Sequence, residues 1–227
     1  MDFAAGTMLL VNKPLKWTSF DVVGKLRNAL KRKYGNKIKV GHAGTLDPLA
    51  TGLLIICTGK FTKQIDTYQA QEKEYTGTLM LGATTPTLDA EMEPDQLFPT
   101  DHITPDLLLT AAQTFIGEIE QVPPIYSALK IQGQTAYSAA RKGIELEMKP
   151  RVVTISEFEL TEFELPAVAF RVVCGKGTYI RSLARDLGKA VDSGAYLTSL
   201  CRTRIGEYKL TEAWEVPALL EFITTQE

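Results

Sequence analysis

The sequence is poor in the residues that build metal centres and disulfide frameworks. Its 227 residues include three cysteines and two histidines. Cys57, Cys174 and Cys201 lie far apart, no Cys-x-x-Cys occurs, and His42 and His102 are isolated. No metal-ligand set is readable, no disulfide framework is expected, and the expected compartment is a reducing cytoplasm. Long apolar runs are missing too, so no membrane span is expected. The opening "MDFAAGTMLLVNK" has no basic segment ahead of its short apolar run and does not read as a signal peptide. Phosphate loops are lacking. "CTGKFT" has Gly-Lys but neither the earlier glycine nor a hydroxyl residue after the lysine. "GHAGTLDPLATG" spaces Gly41, Gly44 and Gly52 wrongly for a dinucleotide fingerprint, so these glycines read as turn formers. No Gly-x-Ser-x-Gly elbow is found. No cofactor can be read from this chain.

Net charge is also small, −2 at neutral pH, but it is unevenly spread. Residues 22–46 contain seven Lys or Arg and no acid, whereas residues 74–129 contain nine acids and no Lys or Arg. The balance turns basic again over residues 171–204. Such polarity can make one basic face on a nearly neutral protein, and basic faces attract phosphate. The competing reading of the first cluster is an ordinary solvated helix face.

What is present is a mixture of strand and helix signals. "MLLVN" (8–12) reads as a short buried strand. Ser19 reads as an N-cap with Asp21 in the first turn. Val22, Val23, Leu26 and Leu30 then recur at helical spacing until Gly35, leaving the basic residues on the other face. "YTGTLMLG" (75–82) alternates as a strand does. Thr104 and Pro105 start a helix that should stop near Gly117. "RVVTISEFEL" and "AVAFRVVC" read as paired strands joined around Pro166, and Thr178 should begin the helix "TYIRSLARDLGKAV". "CRTRIGEYKL" reads as a late strand and "VPALLEFI" as a closing helix. Residues 82–102 are polar and turn-rich and should form a surface loop. Residues 121–151 read as an excursion from the sheet, with a short helical piece at Tyr137–Arg141 and a stop at Gly143; long ordered excursions are often binding loops. The elements interleave without a βαβ rhythm, which predicts an α+β fold: a mixed, largely antiparallel central sheet with flanking helices.

The residue that stands out is Asp47. It is the one acid in "KVGHAGTLDPLATGLLIICTG" (39–59), directly before a proline and ahead of the apolar run Leu53 to Cys57. The bland reading is a turn aspartate, since Asp-Pro starts turns and helices. Its neighbours offer little polarity, however, so a partly buried carboxylate there would need a cationic partner. Arg181 in "GKGTYIRSLARDLG" is a candidate.

"GHAGTLDPLATGLL" closely resembles the signature of the bacterial tRNA pseudouridine-55 synthase family, and further segments are similar to that family's motifs in order. They are "LLVNKPLKWTSFDVV", "KEYTGTLMLGATTPTLDAEM", "QVPPIYSALKIQGQTAYSAARKG", "CGKGTYIRSLARDLG" and "GAYLTSLCRTRIG". The likeness runs over residues 8–206 and departs at the C-terminus: many members carry a further small RNA-binding domain, and this chain ends too early for a full one. The resemblance implies one catalytic domain of pseudouridine synthase fold over residues 1–227, with residues 121–151 forming a loop that grips the T-arm of tRNA.

The activity it implies is isomerisation of the T-loop uridine. The bond from ribose C1′ to uracil N1 breaks, the base turns, and C5 bonds to C1′. Atoms are only rearranged, so no cofactor is needed. The resemblance puts Asp47 in the role of essential carboxylate, which can attack C1′, add to C6 or take a proton from C2′; the sequence leaves all three open. The target base must be flipped out of its stack. Tyr75 aligns with a tyrosine that stacks on it and assists removal of the C5 proton. His42 aligns with a histidine that enters the disrupted T-loop, Tyr179 and Leu200 with pocket residues, and Arg181 with the arginine that pairs with the carboxylate. Lys25, Lys31, Arg32, Lys130, Arg141 and Lys142 are candidates for RNA phosphates. The acidic stretch 82–120 should face away from RNA, except Asp89, which lies in a motif near the site. The expected partner is tRNA; no protein partner is implied and a monomer is expected. Two rivals remain: a tRNA-binding or folding protein of the same fold, and a pseudouridine synthase acting on another RNA. A glycosidase-like use of Asp47 would want a second, opposed carboxylate, which no motif supplies.

Overall fold

The apolar run Leu53–Cys57 is continuous because both faces of its strand are buried, as continuous runs in sheets require. Leu54 and Ile56 enter one core with Leu9, Val11, Val22, Leu26, Leu30, Leu219 and Ile223. Leu53, Ile55 and Cys57 enter another with Ala43, Tyr68 and Ile205. The fold around this strand is a computed structural model describing residues 1–131, 133–144 and 146–225. In chain order its elements begin with strand β1 (Met8–Lys13), helix α1 (Ser19–Tyr34), strands β2 (Val40–Ala43) and β3 (Ala50–Thr58) and helix α2 (Ile65–Ala70). Strands β4 (Lys73–Leu81), β5 (Ala83–Thr84) and β6 (Gln96–Leu97), helix α3 (Pro105–Gln113), strands β7 (Gly117–Gln121), β8 (Lys130–Ile131) and β9 (Gln134–Thr135) and helix α4 (Ala136–Arg141) follow. The chain then runs through strands β10 (Arg151–Glu164) and β11 (Ala167–Cys174), helix α5 (Ile180–Ala190), strands β12 (Ala195–Ile205), β13 (Tyr208–Lys209) and β14 (Trp214–Glu215) and helix α6 (Val216–Thr225).

The chain divides into two compact units, Met1–Tyr75 with Cys201–Glu227, and Thr76–Leu200. In the first, β1 pairs antiparallel with β3 and parallel with β14, and β2 pairs antiparallel with β3. Helices α1 and α6 cover one face of β1 and β3. In the second, β10 pairs antiparallel with both β11 and β7, with two register shifts along its pairing with β11. Phe158 packs edge-on against Phe115 and Phe170. This mixed, largely antiparallel pairing with flanking helices is the α+β class expected. No helix among the described residues is long and apolar enough to cross a membrane.

Several boundaries fall elsewhere than the sequence suggests. Thr18, not Ser19, caps α1: its hydroxyl accepts from Asp21 N at 3.0 Å while Asp21 Oδ2 accepts from Thr18 N at 2.8 Å. That reciprocal box satisfies two helix-end groups and outcompetes a serine one residue later. Ser19 is buried and spends its hydroxyl on Leu46 instead. Helix α3 ends at Gln113, where tight turns take over, and Gly117 (φ +105°) opens β7 rather than stopping the helix. Helix α5 begins at Ile180, with Tyr179 at the cap position and no side-chain cap; Thr178 Oγ1 donates instead to Gly175 O at 3.1 Å. Strand β12 begins at Ala195, six residues before the stretch that reads as strand, and Gly206 turns it into β13. Residues 82–102 do not lie wholly on the surface, because Thr85, Thr87 and Asp89 are buried. The excursion at 121–151 leaves and re-enters where Gln121 pairs with Arg151.

Candidate active site

In the first unit, Asp47 sits in the loop joining β2 to β3. That loop is tied down along its length. Leu46 N donates to Ser19 Oγ at 2.8 Å, and Ser19 Oγ donates to Leu46 O at 3.3 Å. Lys16 N donates to Pro48 O at 2.8 Å, and Ala50 N closes a turn on Asp47 O at 3.1 Å. Arg202 is almost wholly buried and bridges the two ends of the loop, donating from Nη2 to Gly44 O at 3.1 Å and from Nε to Leu53 O at 2.8 Å. Two glycines make this geometry possible. Gly44 has φ +95°, a conformation disfavoured for other residues. At Gly52 (φ +102°) a Cβ would stand 2.4 Å from Arg202 O.

Lys13 completes the surroundings of Asp47. It is fully buried at the end of β1, and its ammonium donates to Trp17 O at 2.6 Å, Pro14 O at 3.0 Å and Pro48 O at 3.4 Å. Burial pushes its pKa down from 10.5 to about 8; Asp47 opposes that shift and the Arg202 charge adds to it. Asp47 therefore lies within the field of the buried Lys13 ammonium on its own unit. His42, on β2 opposite Ile56, is half-buried. Burial first, and the Arg202 charge second, push its pKa below the ordinary 6.5, so the imidazole is neutral at neutral pH. Its Nδ1 is buried without a well-formed hydrogen bond; the Gly44 backbone exerts only a weak opposing pull. Tyr75, the third residue of β4, is 9% exposed.

In the second unit, Tyr179 and Arg181 stand at the start of α5. Gln121 grips the Tyr179 backbone in both directions: its Nε2 donates to Tyr179 O at 3.1 Å and its Oε1 accepts from Tyr179 N at 2.8 Å. The Arg151 guanidinium lies 4.6 Å over the Tyr179 ring. Arg181 is buried, not an exposed helix residue. It donates to Thr87 O at 2.7 Å and Tyr126 O at 2.8 Å, and its Nη1 lies 3.6 Å from Asp89 Oδ2. This one side chain thus ties α5 to residues 87–89 and to the excursion. Leu200 is half-buried on β12.

Of the phosphate candidates, Lys25, Lys31 and Arg32 are exposed on α1, opposite its buried Val22, Val23, Leu26 and Leu30. Arg141 and Lys142 are exposed, with Arg141 5.5 Å over Tyr137. The side chain of Lys130 lies outside the described residues. The sequence reading did not single out Lys13, Arg202 or Gln121. Each lies in a family-like segment, so the signal was present, but nothing in a sequence says that a lysine or arginine is buried.

Comparison with known proteins decides the family. A model of the TruB family pseudouridylate synthase N-terminal domain matches residues 31–180. This chain belongs to the TruB family of pseudouridylate synthases. It is 55% identical over 228 residues to a protein of Phocaeicola vulgatus named tRNA pseudouridine synthase B, covering 100% of this chain and 97% of that one. A protein of the same name from Parabacteroides distasonis is 58% identical over 211 residues, covering 92% and 90%. Among solved structures, a chain in the crystal structure of a Cbf5–Nop10–Gar1 complex matches with TM-score 0.74 and 28% identity over 97% of this chain. A chain in a structure of an H/ACA RNP bound to a substrate RNA containing 2′-deoxyuridine matches with TM-score 0.70 and 26% identity, also over 97%. This TruB-family chain spans about half the length of those two, 55% and 54%.

Proposed function

We propose that this chain is a tRNA pseudouridine synthase that isomerises the T-loop uridine, at tRNA position 55, and that Asp47 is its essential carboxylate. The observation that carries the reading is the match to relatives named tRNA pseudouridine synthase B over nearly their whole length. The Asp47 loop gives it chemical sense. A carboxylate that must act once per turnover on a flipped nucleotide needs a fixed position and an ionised form. The anchors from Ser19, Lys16 and Arg202 supply the first, and the positive charge of Lys13 favours the second.

The remaining residues take supporting roles. The Tyr75 ring stacks on the flipped base and assists departure of the C5 proton. Neutral His42 enters the space the base leaves. Tyr179 and Leu200 line the pocket, and Arg181 sustains the ionised carboxylate. Arg141 and Lys142 on the excursion meet T-arm phosphates. Glycosidic cleavage and C5–C1′ bond formation balance without any outside reagent.

The test uses an unmodified tRNA transcript carrying tritium at uracil C5. The expected result is release of one equivalent of tritium per tRNA, abolished when the T-loop uridine is replaced by cytidine. Asp47→Asn should bind the transcript but release no tritium. Release from other uridines would favour the rival substrate, and Asp47→Asn turnover within about tenfold of wild type would remove Asp47 from its role, since losing an essential group costs far more.

A further inference from the structure

The face of α1 turned towards α6 carries an open groove of about 690 Å³ that the reaction at Asp47 does not use. This volume is in the range of sites that enclose small ligands. The groove is lined by Lys16, Lys25 and Arg32, with Trp17 and Phe20 between them. Phe20 is 64% exposed, an unusual position for a large aromatic on a helix whose opposite face is well buried. Two cations lie near the two rings: Arg27 is 5.6 Å from the Phe20 centroid and Lys25 is 5.8 Å from that of Trp17. Asp21 is the one acid in the lining, and its carboxylate is already engaged by Thr18 N and Thr18 Oγ1 at 2.8 and 2.6 Å.

Resting on the reading of the protein as a tRNA-modifying enzyme, we propose that this groove is a second RNA subsite. It takes a phosphate of the tRNA on Lys25 and Arg32, with Lys16 at its rim, and an unstacked base of the same strand on Phe20. Charge complementarity selects the occupant: three cations against one engaged acid suit a polyanion, and an exposed ring beside them suits a base face. A protein helix seated there would need an acidic face to meet the three cations. The groove is also coupled to the reacting loop within the same unit. Lys16, which lines it, holds Pro48, and Ser19, beside Phe20, holds Leu46. RNA seated there bears directly on the two residues that flank Asp47.

The experiment measures the dissociation constant of an unmodified tRNA transcript between 50 and about 300 mM salt, a range over which phosphate contacts change affinity steeply. Lys25→Gln/Arg32→Gln should weaken binding tenfold or more at low salt and reduce the slope of log affinity against log salt by about one, for the one phosphate the two residues share. Phe20→Ala should weaken binding about fivefold or more at every salt concentration with the slope unchanged, as loss of a stacked base requires. Lys60→Gln, an exposed lysine outside the groove, should leave both quantities as in wild type. Wild-type affinity and slope in the groove variants would overturn the proposal and leave the groove to a different occupant. An equal loss in Lys60→Gln would overturn it too, because positive charge anywhere would then suffice. Tritium release by the wild type is followed in parallel. If it is absent the activity reading fails, while the binding series still decides the groove.

Discussion

Replacing Lys13 with methionine probes the electrostatics of the reacting loop. Methionine keeps the unbranched shape and removes the charge. In the fold, burial lowers the Lys13 pKa from 10.5 to about 8. At 1.36 kcal/mol per unit, holding the ammonium charged inside the protein costs ~3 kcal/mol at pH 7. The sign follows from proton counting. Between pH 8 and 10.5 the folded protein has released this proton and the unfolded chain still binds it, so stability rises with pH across that window. Lys13→Met lacks this proton altogether. It also strips the carbonyls of Trp17 and Pro14 of their short hydrogen bonds, at about 1–3 kcal/mol for each acceptor left buried and unsatisfied. At pH 7 relief from the buried charge offsets much of that loss; at pH 10 it no longer does. Urea unfolding of both proteins at pH 7, 8, 9 and 10 should therefore show the wild type gaining ~3 kcal/mol on the variant. Turnover should move the opposite way in wild type, falling as pH rises through 8, because the same titration removes a positive charge from beside Asp47. A stability difference constant with pH to within ~0.5 kcal/mol would refute the argument, since it would mean Lys13 titrates alike in both states.

Other substitutions test other parts of the molecule. Tyr75→Phe should keep tRNA binding and slow tritium release, whereas Tyr75→Leu should weaken capture of the flipped base by ~1–3 kcal/mol; equal binding and turnover in both would make Tyr75 a sheet residue only. Arg181→Met should destabilise the fold by about 3–5 kcal/mol by removing the ion-pair partner of buried Asp89. The double variant Arg181→Met/Asp89→Asn should recover part of that loss, and additive unfolding energies would show that the pair is not coupled. Gly188→Ala places a methyl 2.5 Å from Ala195 N and should cost about 1–3 kcal/mol by urea unfolding, against the small gain an alanine normally brings to a helix.

The sequence was most legible where one local pattern decides an element. Strand β1, helix α1, the pair β10 and β11 and the closing helix α6 all follow from periodicity. The run Leu53–Cys57 is conspicuous as an apolar run, and it lies in a strand both of whose faces meet apolar partners. Errors arose where two local signals competed or where burial was set from a distance. At the start of α1 Ser19 reads as the cap, yet the reciprocal bond with Asp21 gives that place to Thr18. Gly117 reads as a helix stop, yet the helix has already ended in tight turns and Gly117 opens β7. The turn-rich residues 82–102 looked solvated, yet Thr85 and Thr87 are drawn inside, where their hydroxyls donate to Asp89 O, and the Arg181 guanidinium takes Thr87 O. No window of neighbouring residues contains that arginine.

The same distinction runs through the site. Asp47 was conspicuous in the sequence as a lone acid in an apolar loop, within a segment that resembles a family signature. Lys13 and Arg202 were not, since lysine and arginine are ordinary surface residues and their burial follows from tertiary closure. Among the described residues of the first unit they are the charged side chains sealed closest to the reacting loop, and each binds its carbonyls while acting on Asp47 or His42 through charge. A buried cation that only needed solvating could bond any carbonyl. These two bond Pro48 and Gly44, on either side of Asp47, so the groups that set the loop's shape are the groups that set its potential. A substitution that moved the loop would change the field at Asp47, and one that removed the field would release the loop. That coupling predicts non-additive behaviour for Lys13 and Arg202 variants.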